Sequence, residues 1–281
     1  MDASPIERTL GVFASLDAGL GVRWDVLERL HVPTMHLHAP HDQRCTPEVA
    51  KKVRVDADAI GVQTTVVFAG FEGESYASIP EVAETIGLVP AATREQRTAE
   101  LRRVGVFAEA MNCDAVGMHV GVLPHDRDHP GYRSTVDALS GFCSELADRG
   151  QFVHLETGQE TADALLAFIA DVGADNLRIN FDPANLILYG MGDPIESLGR
   201  VSAFVRSVHC KDAIPSDLPG KTWGREVPLG EGDVDMTRYL RTLDQIGYRG
   251  PLTIEREIPQ EPDRQEAEIR AAMRTLTEAS D

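Results

Sequence analysis

The chain has 281 residues, of which 27 are lysine or arginine and 45 are aspartate or glutamate, and its formal net charge is −18. Hydrophobic residues make up 42% of the chain, which suffices for a large core and excludes a disordered or fibrous protein. A chain with this negative charge and no dense stripe of lysine and arginine repels the phosphate backbone of DNA or RNA. The composition therefore indicates that the protein does not bind nucleic acid.

The cysteines, the opening residues and the apolar stretches indicate in which cellular compartment the protein is found. Cys45, Cys113, Cys143 and Cys210 lie far apart and form no CxxC pair, so neither a disulfide framework nor a zinc finger is predicted. The opening residues MDASPIERTL are acidic and polar, whereas a signal peptide has a basic segment followed by an apolar run. No stretch approaches the roughly 18 uninterrupted apolar residues that a membrane span needs. We therefore expect a cytoplasmic protein with no membrane partner.

Short apolar, β-branched runs alternate with longer helical patterns along the whole chain. Eight strands are predicted, at residues 10–14, 33–38, 63–68, 115–120, 152–156, 177–181, 204–209 and 252–255. Eight helices are predicted, at residues 24–30, 47–59, 93–111, 133–148, 161–171, 194–201, 236–245 and 264–278. Eight strand–helix units without an obvious linker predict one α/β domain over residues 1–281, a single (β/α)8 TIM barrel. An open doubly wound sheet is the alternative, but no GxGxxG motif follows the first strand.

Each of the last four predicted strands ends in a side chain that can bind a metal. These residues are Glu156, Asp182, His209 and Glu255. Neighbouring parallel strands lie about 4.8 Å apart, so the four side chains can converge on one ion. Three carboxylates and one imidazole suit a hard or borderline divalent cation such as Mn²⁺ or Mg²⁺, with Co²⁺ or Zn²⁺ as alternatives. Taken singly, an aspartate or glutamate after a strand is usually a turn former, a helix cap or a solvated loop residue, and it is the succession of four that indicates a metal site.

The sequence stretches around these residues are distinctive as an ordered set: HLHAP, GMHVG, HLETGQE, NFDPANLILYG, SVHCKDA, PLGEGDVD and GYRGPLTIERE. The set resembles the sugar phosphate isomerase/epimerase branch of the xylose-isomerase-like TIM barrel superfamily. That branch also includes ketose 3-epimerases, hydroxypyruvate isomerases and inosose dehydratases. The resemblance implies one divalent metal ion, Mn²⁺ foremost, held by Glu156, Asp182, His209 and Glu255.

The resemblance also implies a reaction. In similar enzymes the metal chelates the carbonyl oxygen and a neighbouring hydroxyl of a ketose or hydroxy-ketone, which acidifies the adjacent C–H. Glu156 and Glu255 are the candidate catalytic acid–base pair, one removing a proton and the other returning it to the opposite face. The predicted activity is isomerisation or epimerisation of a sugar, a keto-sugar or a related hydroxy-ketone through an enediolate.

Five further residues are candidate substrate contacts, namely His38, His119, Asn185, Lys211 and Arg225. His38 and His119 end the second and fourth predicted strands, and the alternative for each is a structural role in packing. Lys211 can meet an anionic oxygen of the substrate or pair with the adjacent Asp212. Arg225 lies on the long connection 211–235 and either closes over the substrate or is solvated. Asn185 is a substrate contact or a helix N-cap, and it stands where ketose 3-epimerases have a histidine.

Three other functions remain open. A lyase or dehydratase acting on a keto-sugar or keto-inositol needs the same enolate but then expels a β-substituent. An apurinic-site endonuclease shares this barrel, but it holds three metals with many histidines, and the charge of −18 opposes DNA binding. A barrel that only binds metal would exchange no substrate C–H protons. The expected partner is a small-molecule sugar or keto-sugar, phosphorylated or not, and relatives commonly form homodimers or homotetramers.

Overall fold

The structure is a computed structural model of the protein that describes residues 8–16, 21–257 and 261–280. Its strands are β1 (Leu10–Ser15), β2 (Val22–Arg23), β3 (Thr34–His38), β4 (Gln63–Phe68), β5 (Ala115–Met118), β6 (Phe152–Glu156), β7 (Leu177–Phe181), β8 (Val205–Cys210), β9 (Asp212–Ile214), β10 (Arg225–Val227) and β11 (Leu252–Ile254). Its α-helices are α1 (Trp24–Leu30), α2 (Pro47–Ala59), α3 (Ile79–Thr85), α4 (Arg94–Ala110), α5 (Pro130–Ala147), α6 (Ala162–Val172), α7 (Pro183–Tyr189), α8 (Pro194–Val201), α9 (Met236–Gln245) and α10 (Pro262–Ser280).

Within the described residues, eight strands close into a parallel barrel. Their order around the barrel is β1, β3, β4, β5, β6, β7, β8 and β11, and β11 pairs back with β1. Across this closing seam Leu10 lies opposite Leu252 and Val12 lies opposite Ile254. The predicted TIM barrel is confirmed, and the open doubly wound sheet is wrong because the sheet has no free edge at the seam.

The helices follow the strands because each begins at a local signal and then buries an apolar stripe. In α2 the Thr46 side chain accepts the N–H of Val49 and Pro47 opens the first turn, while Val53 and Ala57 are buried. α6 begins with the same kind of cap at Thr161, and it ends at a glycine in the left-handed region, where a side chain would be strained. These boundaries lie within three residues of the predicted ones for both helices.

Besides the two-residue strand β2, four elements in the connections that follow barrel strands were not predicted. α3 lies inside the long connection 69–92, α7 follows β7 directly, and β9 and β10 form an antiparallel pair inside the connection 211–235. Two strands end earlier than predicted, since β5 ends at Met118 and β11 ends at Ile254. His119 and Glu255 therefore lie just beyond their strands, in the loops that carry the site.

All four cysteines are free thiols buried in different parts of the fold. Burial raises the pKa of Cys45 to about 11, of Cys113 to about 12 and of Cys143 to about 12, and it raises the pKa of Cys210 further. Cys143 lies within α5 and Cys210 ends β8. None of these thiols is close to being a thiolate at neutral pH.

Among the described residues, no helix combines the length and the apolar character needed to cross a membrane.

Candidate metal centre

The four predicted metal ligands come together at the C-terminal ends of four neighbouring strands. Glu156 is the last residue of β6, Asp182 directly follows β7, His209 lies near the end of β8, and Glu255 directly follows β11. One possible ligand atom from each residue lies within 4.8 Å of the other three, and all four residues are buried. The barrel order places β6, β7, β8 and β11 side by side, which brings these distant sequence positions to one point.

The imidazole of His209 stands among the three carboxylates. Its Nδ1 is 2.9 Å from Oε1 of Glu156, 3.0 Å from Oε2 of Glu255 and 3.6 Å from Oδ2 of Asp182. Burial alone lowers the pKa of His209, but the carboxylates of Glu255 and Glu156 outweigh burial and raise that pKa well above its ordinary value. The carboxylates thus require a positive charge in their midst, which a proton or a divalent cation can supply.

Asp182 gives an independent sign that the cluster fits a cation. Its Oδ1 accepts the N–H of Asn185 at 3.0 Å and so caps α7, whereas its buried Oδ2 has no hydrogen-bond partner. A buried carboxylate oxygen without a partner is costly unless a cation compensates it. Three carboxylates and one imidazole form a donor set for Mn²⁺ or Mg²⁺, so the residues present fit a single divalent ion.

His36 contacts the ring of His209 on the side away from the carboxylates, and Thr253 in turn contacts His36. Its Nε2 is 3.0 Å from Nδ1 of His36, and Nε2 of His36 is 3.2 Å from Oγ1 of Thr253. Burial, together with the nearby His209, lowers the pKa of His36 well below its ordinary value, so this ring is neutral. Neutral His36 accepts the Nε2–H of His209 and donates to Thr253, which turns Nδ1 of His209 toward the carboxylates, where Nδ2 of Asn180 also lies 3.2 Å from it.

Glu156 is held by side chains from two loops and a helix. His119 Nε2 lies 3.2 Å from its Oε2, and Asn185 donates from Nδ2 to its Oε1 at 3.3 Å. Gln159 donates to Nδ1 of His119 at 3.1 Å, which places the ring proton on Nε2, facing the carboxylate. Asn185 thus contacts Glu156, a predicted metal ligand, and Asp182 rather than Asn185 is the N-cap of α7.

Lys211 lies among three carboxylates on the other side of the cluster. Its Nζ is 2.5 Å from Oε1 of Glu257, 3.3 Å from Oε2 of Glu255 and 4.0 Å from Oε2 of Glu226. Burial alone lowers the pKa of Lys211, but Glu255 and the other two carboxylates raise it well above its ordinary value, so the ammonium is charged. Lys211 therefore holds Glu255, a predicted metal ligand, together with Glu226 and Glu257, which the sequence did not indicate.

The alternative pairing of Lys211 with Asp212 is wrong. The Asp212 carboxylate accepts four backbone N–H groups, those of Ala213 at 2.9 Å, Gly230 at 2.9 Å, Gly232 at 3.0 Å and Val234 at 3.1 Å. Gly232 is required there because a Cβ would stand 2.2 Å from Oδ1 of Asp212. Asp212 thus fixes the loop that leads from β10 to α9.

A cavity of about 460 Å³ opens above the cluster at the C-terminal face. The predicted substrate contacts His38, His119, Asn185 and Lys211 all line it, together with the two candidate acid–base residues. The remaining wall contains side chains that the sequence analysis missed, namely Ser15, His41, Glu74, Tyr76, Tyr189, Glu226 and Glu257. Most of them come from long loops, for which no periodic pattern predicts a direction.

The structure does not place Arg225 at this cavity. Arg225 is exposed and does not line the cavity, whereas its neighbour Glu226 does. The two residues belong to β10, and successive side chains of a strand point to opposite faces. Glu226 instead takes the inward position, where burial raises its pKa to about 7 although Lys211 opposes that rise.

The chain belongs to the xylose isomerase-like TIM barrel family, which matches residues 30–279. It is 51% identical to the xylose isomerase domain protein from Planctomyces limnophilus, whose crystal structure it matches with a TM-score of 0.94 over 97% of this chain and 98% of that one. The predicted membership of the xylose-isomerase-like TIM barrel superfamily is thereby confirmed.

Two more distant structures share the fold at 15% identity each. L-ribulose 3-epimerase has a TM-score of 0.71 over 97% of this chain and 96% of its own. The probable 3-DHS dehydratase AsbF from Bacillus anthracis has a TM-score of 0.69 over 94% of this chain and 98% of its own. Among curated proteins, this chain is 37% identical over 79 residues to an Escherichia coli K12 protein provisionally named L-ribulose-5-phosphate 3-epimerase SgbU, a match that covers only 26% of either chain.

Proposed function

We propose that this protein is a divalent-metal-dependent isomerase or epimerase that acts on a sugar, a keto-sugar or a related hydroxy-ketone through an enediolate. The observation that carries the proposal is the pair of glutamates at the floor of the cavity. Glu156 and Glu255 approach the same atom, Nδ1 of His209, at 2.9 Å and 3.0 Å, and both line the cavity. Mn²⁺ is the ion that this donor set favours, with Mg²⁺, Co²⁺ and Zn²⁺ as alternatives.

The chain's own residues divide the work of proton transfer. A bound cation supplies a Lewis acid that stabilises negative charge on the substrate oxygen and so acidifies the neighbouring C–H. One of Glu156 and Glu255 then accepts that proton, and the other returns a proton to the carbon from a different direction. His119 and Asn185 hold the Glu156 carboxylate, and Lys211 holds that of Glu255, so each carboxylate keeps its orientation while its charge changes.

A lyase or dehydratase is the second candidate, and it starts from the same proton abstraction. The probable 3-DHS dehydratase AsbF has the same barrel fold at 15% identity, and this shared fold is the reason to test the lyase reaction as well. After enolisation a lyase loses a β-substituent, whereas an epimerase regains a proton. The mass of the product therefore separates the two reactions.

The test is deuterium exchange by Mn²⁺-loaded protein in D₂O with a panel of ketoses, keto-sugars and hydroxy-ketones, followed by NMR and mass spectrometry. We expect deuterium to enter an unchanged carbon skeleton, an epimer or an isomer. The Glu156→Gln and Glu255→Gln variants should each lose about a hundredfold or more of the exchange rate, because an amide cannot accept the proton. Glu278→Gln, which neutralises an exposed residue of α10, is the matched control and should exchange at the wild-type rate.

Metal content is measured on every variant so that loss of the ion and loss of the base are distinguished. Full exchange by a metal-replete Glu156→Gln or Glu255→Gln variant would refute the assigned acid–base role of that residue. A product lighter by water, or one that has lost a substituent, would move the protein to the lyase class.

A further inference from the structure

Carboxylates dominate the described wall of the cavity. Five glutamates line it, namely Glu74, Glu156, Glu226, Glu255 and Glu257. Among the residues that the structure describes, Lys211 is the only lysine or arginine in the lining. Segments 1–7, 17–20 and 258–260, which lie outside that description, contain neither lysine nor arginine in the sequence. Glu156 and Glu255 belong to the proposed cation site, but the other three glutamates, Glu74, Glu226 and Glu257, still outnumber Lys211. An anionic group that enters the cavity away from the ion therefore meets more negative than positive side chains.

Lys211 is already neutralised by the protein. It is 2% exposed, and its ammonium lies 2.5 Å from Glu257, 3.3 Å from Glu255 and 4.0 Å from Glu226. A phosphate would have to displace these carboxylates, and their charges would then remain close by without a partner. Since phosphate sites in proteins are built from free arginine or lysine donors and backbone N–H groups, this lysine does not make one.

The protein also fills the backbone turn that could otherwise bind phosphate. In TIM barrels, phosphate groups frequently bind at the loops that follow the seventh and eighth strands. Here the seventh barrel strand is β8, and the N–H groups of Gly230, Gly232 and Val234 in the long loop after it converge on one carboxylate. That carboxylate belongs to Asp212, so an internal anion occupies the donors.

The rest of the cavity suits an uncharged polyhydroxy compound. Tyr76, Tyr189 and Trp223 line it, and the rings of Tyr189 and Trp223 pack with their centroids 4.5 Å apart. Aromatic faces cover the C–H surfaces of a sugar, while carboxylates accept hydrogen bonds from its hydroxyl groups. Glu257 is suited to such an acceptor role because its side chain is 46% exposed.

We propose that the substrate is an uncharged polyhydroxy ketone, and that Glu226, Glu257 and the occupied Lys211 select against its phosphorylated and carboxylated counterparts. This inference rests on the proposed enolising function. It adds that the enzyme distinguishes a free sugar from its phosphate ester by charge, although the same carbon reacts in both.

The experiment compares matched pairs on the Mn²⁺-loaded protein at about pH 8, where carboxylates with ordinary or moderately raised pKa values are ionised. The pairs are D-fructose with D-fructose 6-phosphate and L-ribulose with L-ribulose 5-phosphate. We measure kcat/KM for C–H exchange in D₂O and, separately, binding by isothermal titration calorimetry. We expect each free sugar to exceed its phosphate ester by about tenfold or more in both measurements.

A charge variant tests the origin of the selectivity. Glu257→Gln removes one carboxylate from Lys211 and should narrow the ratio between free sugar and ester by about fivefold or more, mainly by improving the ester. Glu278→Gln changes the net charge equally at an exposed position and should leave the ratio as in the wild type. An unchanged ratio in Glu257→Gln would overturn the role given to the cavity carboxylates.

The outcomes for the substrate and for the reaction are separate. Exchange or binding that prefers the esters would overturn the inference while leaving the enolising function intact. Tight binding of the free sugars without any exchange would support the substrate class and overturn the proposed reaction. Neither binding nor exchange with any pair would overturn both.

Discussion

Glu160 is a buried carboxyl group that takes no part in the metal cluster. Its Oε1 accepts the N–H of Leu123 at 2.7 Å and so joins the loop after β5 to the loop after β6. Burial raises the pKa of Glu160 from 4.5 to about 7, although this hydrogen bond opposes the rise. The pKa of Glu160 is thus higher in the folded protein than in the unfolded chain, so its contribution to stability is fully present below about pH 4.5. That contribution is lost as the pH rises through about 7.

The Glu160→Gln variant should therefore be more stable than the wild type at alkaline pH. An amide keeps the oxygen that accepts from Leu123 but has no charge to bury. We expect the free energy of unfolding in urea to rise by roughly 3 kcal/mol at about pH 8, and to differ little at about pH 4.5. The control is Glu278→Gln. A stability difference that is the same at both pH values would contradict the assignment.

His36 contacts the candidate metal centre through His209. If its hydrogen bond holds the ligand in the correct tautomer, His36→Ala should weaken Mn²⁺ binding by about ten- to a hundredfold. Calorimetric titration of the apoprotein with Mn²⁺ measures this directly. His36→Asn, which retains an oxygen acceptor, should recover part of the loss, and His31→Ala at an exposed position should bind as the wild type does. Unchanged affinity in a folded His36→Ala protein would show that the contact is packing alone.

The loop between β10 and α9 depends on a single carboxylate. Asp212→Ala removes the acceptor of four backbone N–H groups at once, including those of Gly230, Gly232 and Val234. We expect a loss of roughly 2–4 kcal/mol in unfolding free energy. We also expect amide hydrogen exchange at these three positions to accelerate more than in the barrel strands. Asp217→Ala, at an exposed position of the preceding loop, should leave both quantities unchanged, and equally fast exchange throughout the molecule would instead indicate global destabilisation.

The elements that the sequence predicted well are those with a local signal. Each barrel strand is a short apolar run bounded by turns, so all eight were located to within two residues at either end. α7 also has a local signal, since Asp182 is an N-cap and Pro183 opens the first turn, but its residues are buried almost throughout, so no apolar stripe alternates with polar positions. The pairing of β9 with β10 has no such signal because it depends on contacts across the loop.

The same distinction explains the site. The convergence of the four cluster residues could be predicted because the carboxyl ends of parallel strands meet at one end of a barrel, whatever the loops do. Glu226 and Glu257 could not, because their direction depends on how long loops return to the barrel. Arg225 was predicted in place of Glu226, and a shift of one residue along a strand reverses the face that a side chain occupies.

At the scale of the whole molecule, the cluster joins four neighbouring strands, β6, β7, β8 and β11. An ion bound only by the folded barrel should therefore raise the melting temperature. At a thousandfold excess over its Kd, such an ion stabilises a fold by about 4 kcal/mol. We expect EDTA-treated protein to melt at a lower temperature than protein with Mn²⁺.

Asp182→Asn is the variant that tests this link. An asparagine still caps α7, so the helix should be retained while a charged ligand is lost. The increase in melting temperature on adding Mn²⁺ should then be much smaller than in the wild type. The control is Asp193→Asn, since Asp193 caps α8 in the same way but lies outside the cluster. An equal increase in the wild type and in Asp182→Asn would mean that the ion binds elsewhere.

The four buried cysteines allow local unfolding to be measured by thiol labelling. Because they lie in the loop before α2, before β5, within α5 and at the end of β8, each becomes accessible only when its own part of the barrel opens. In the native state all four thiols are buried and burial raises the pKa of each, so we expect a thiol-reactive dye to label them slowly. The rate at which each cysteine is labelled therefore measures how often that part of the barrel opens, without any engineered label.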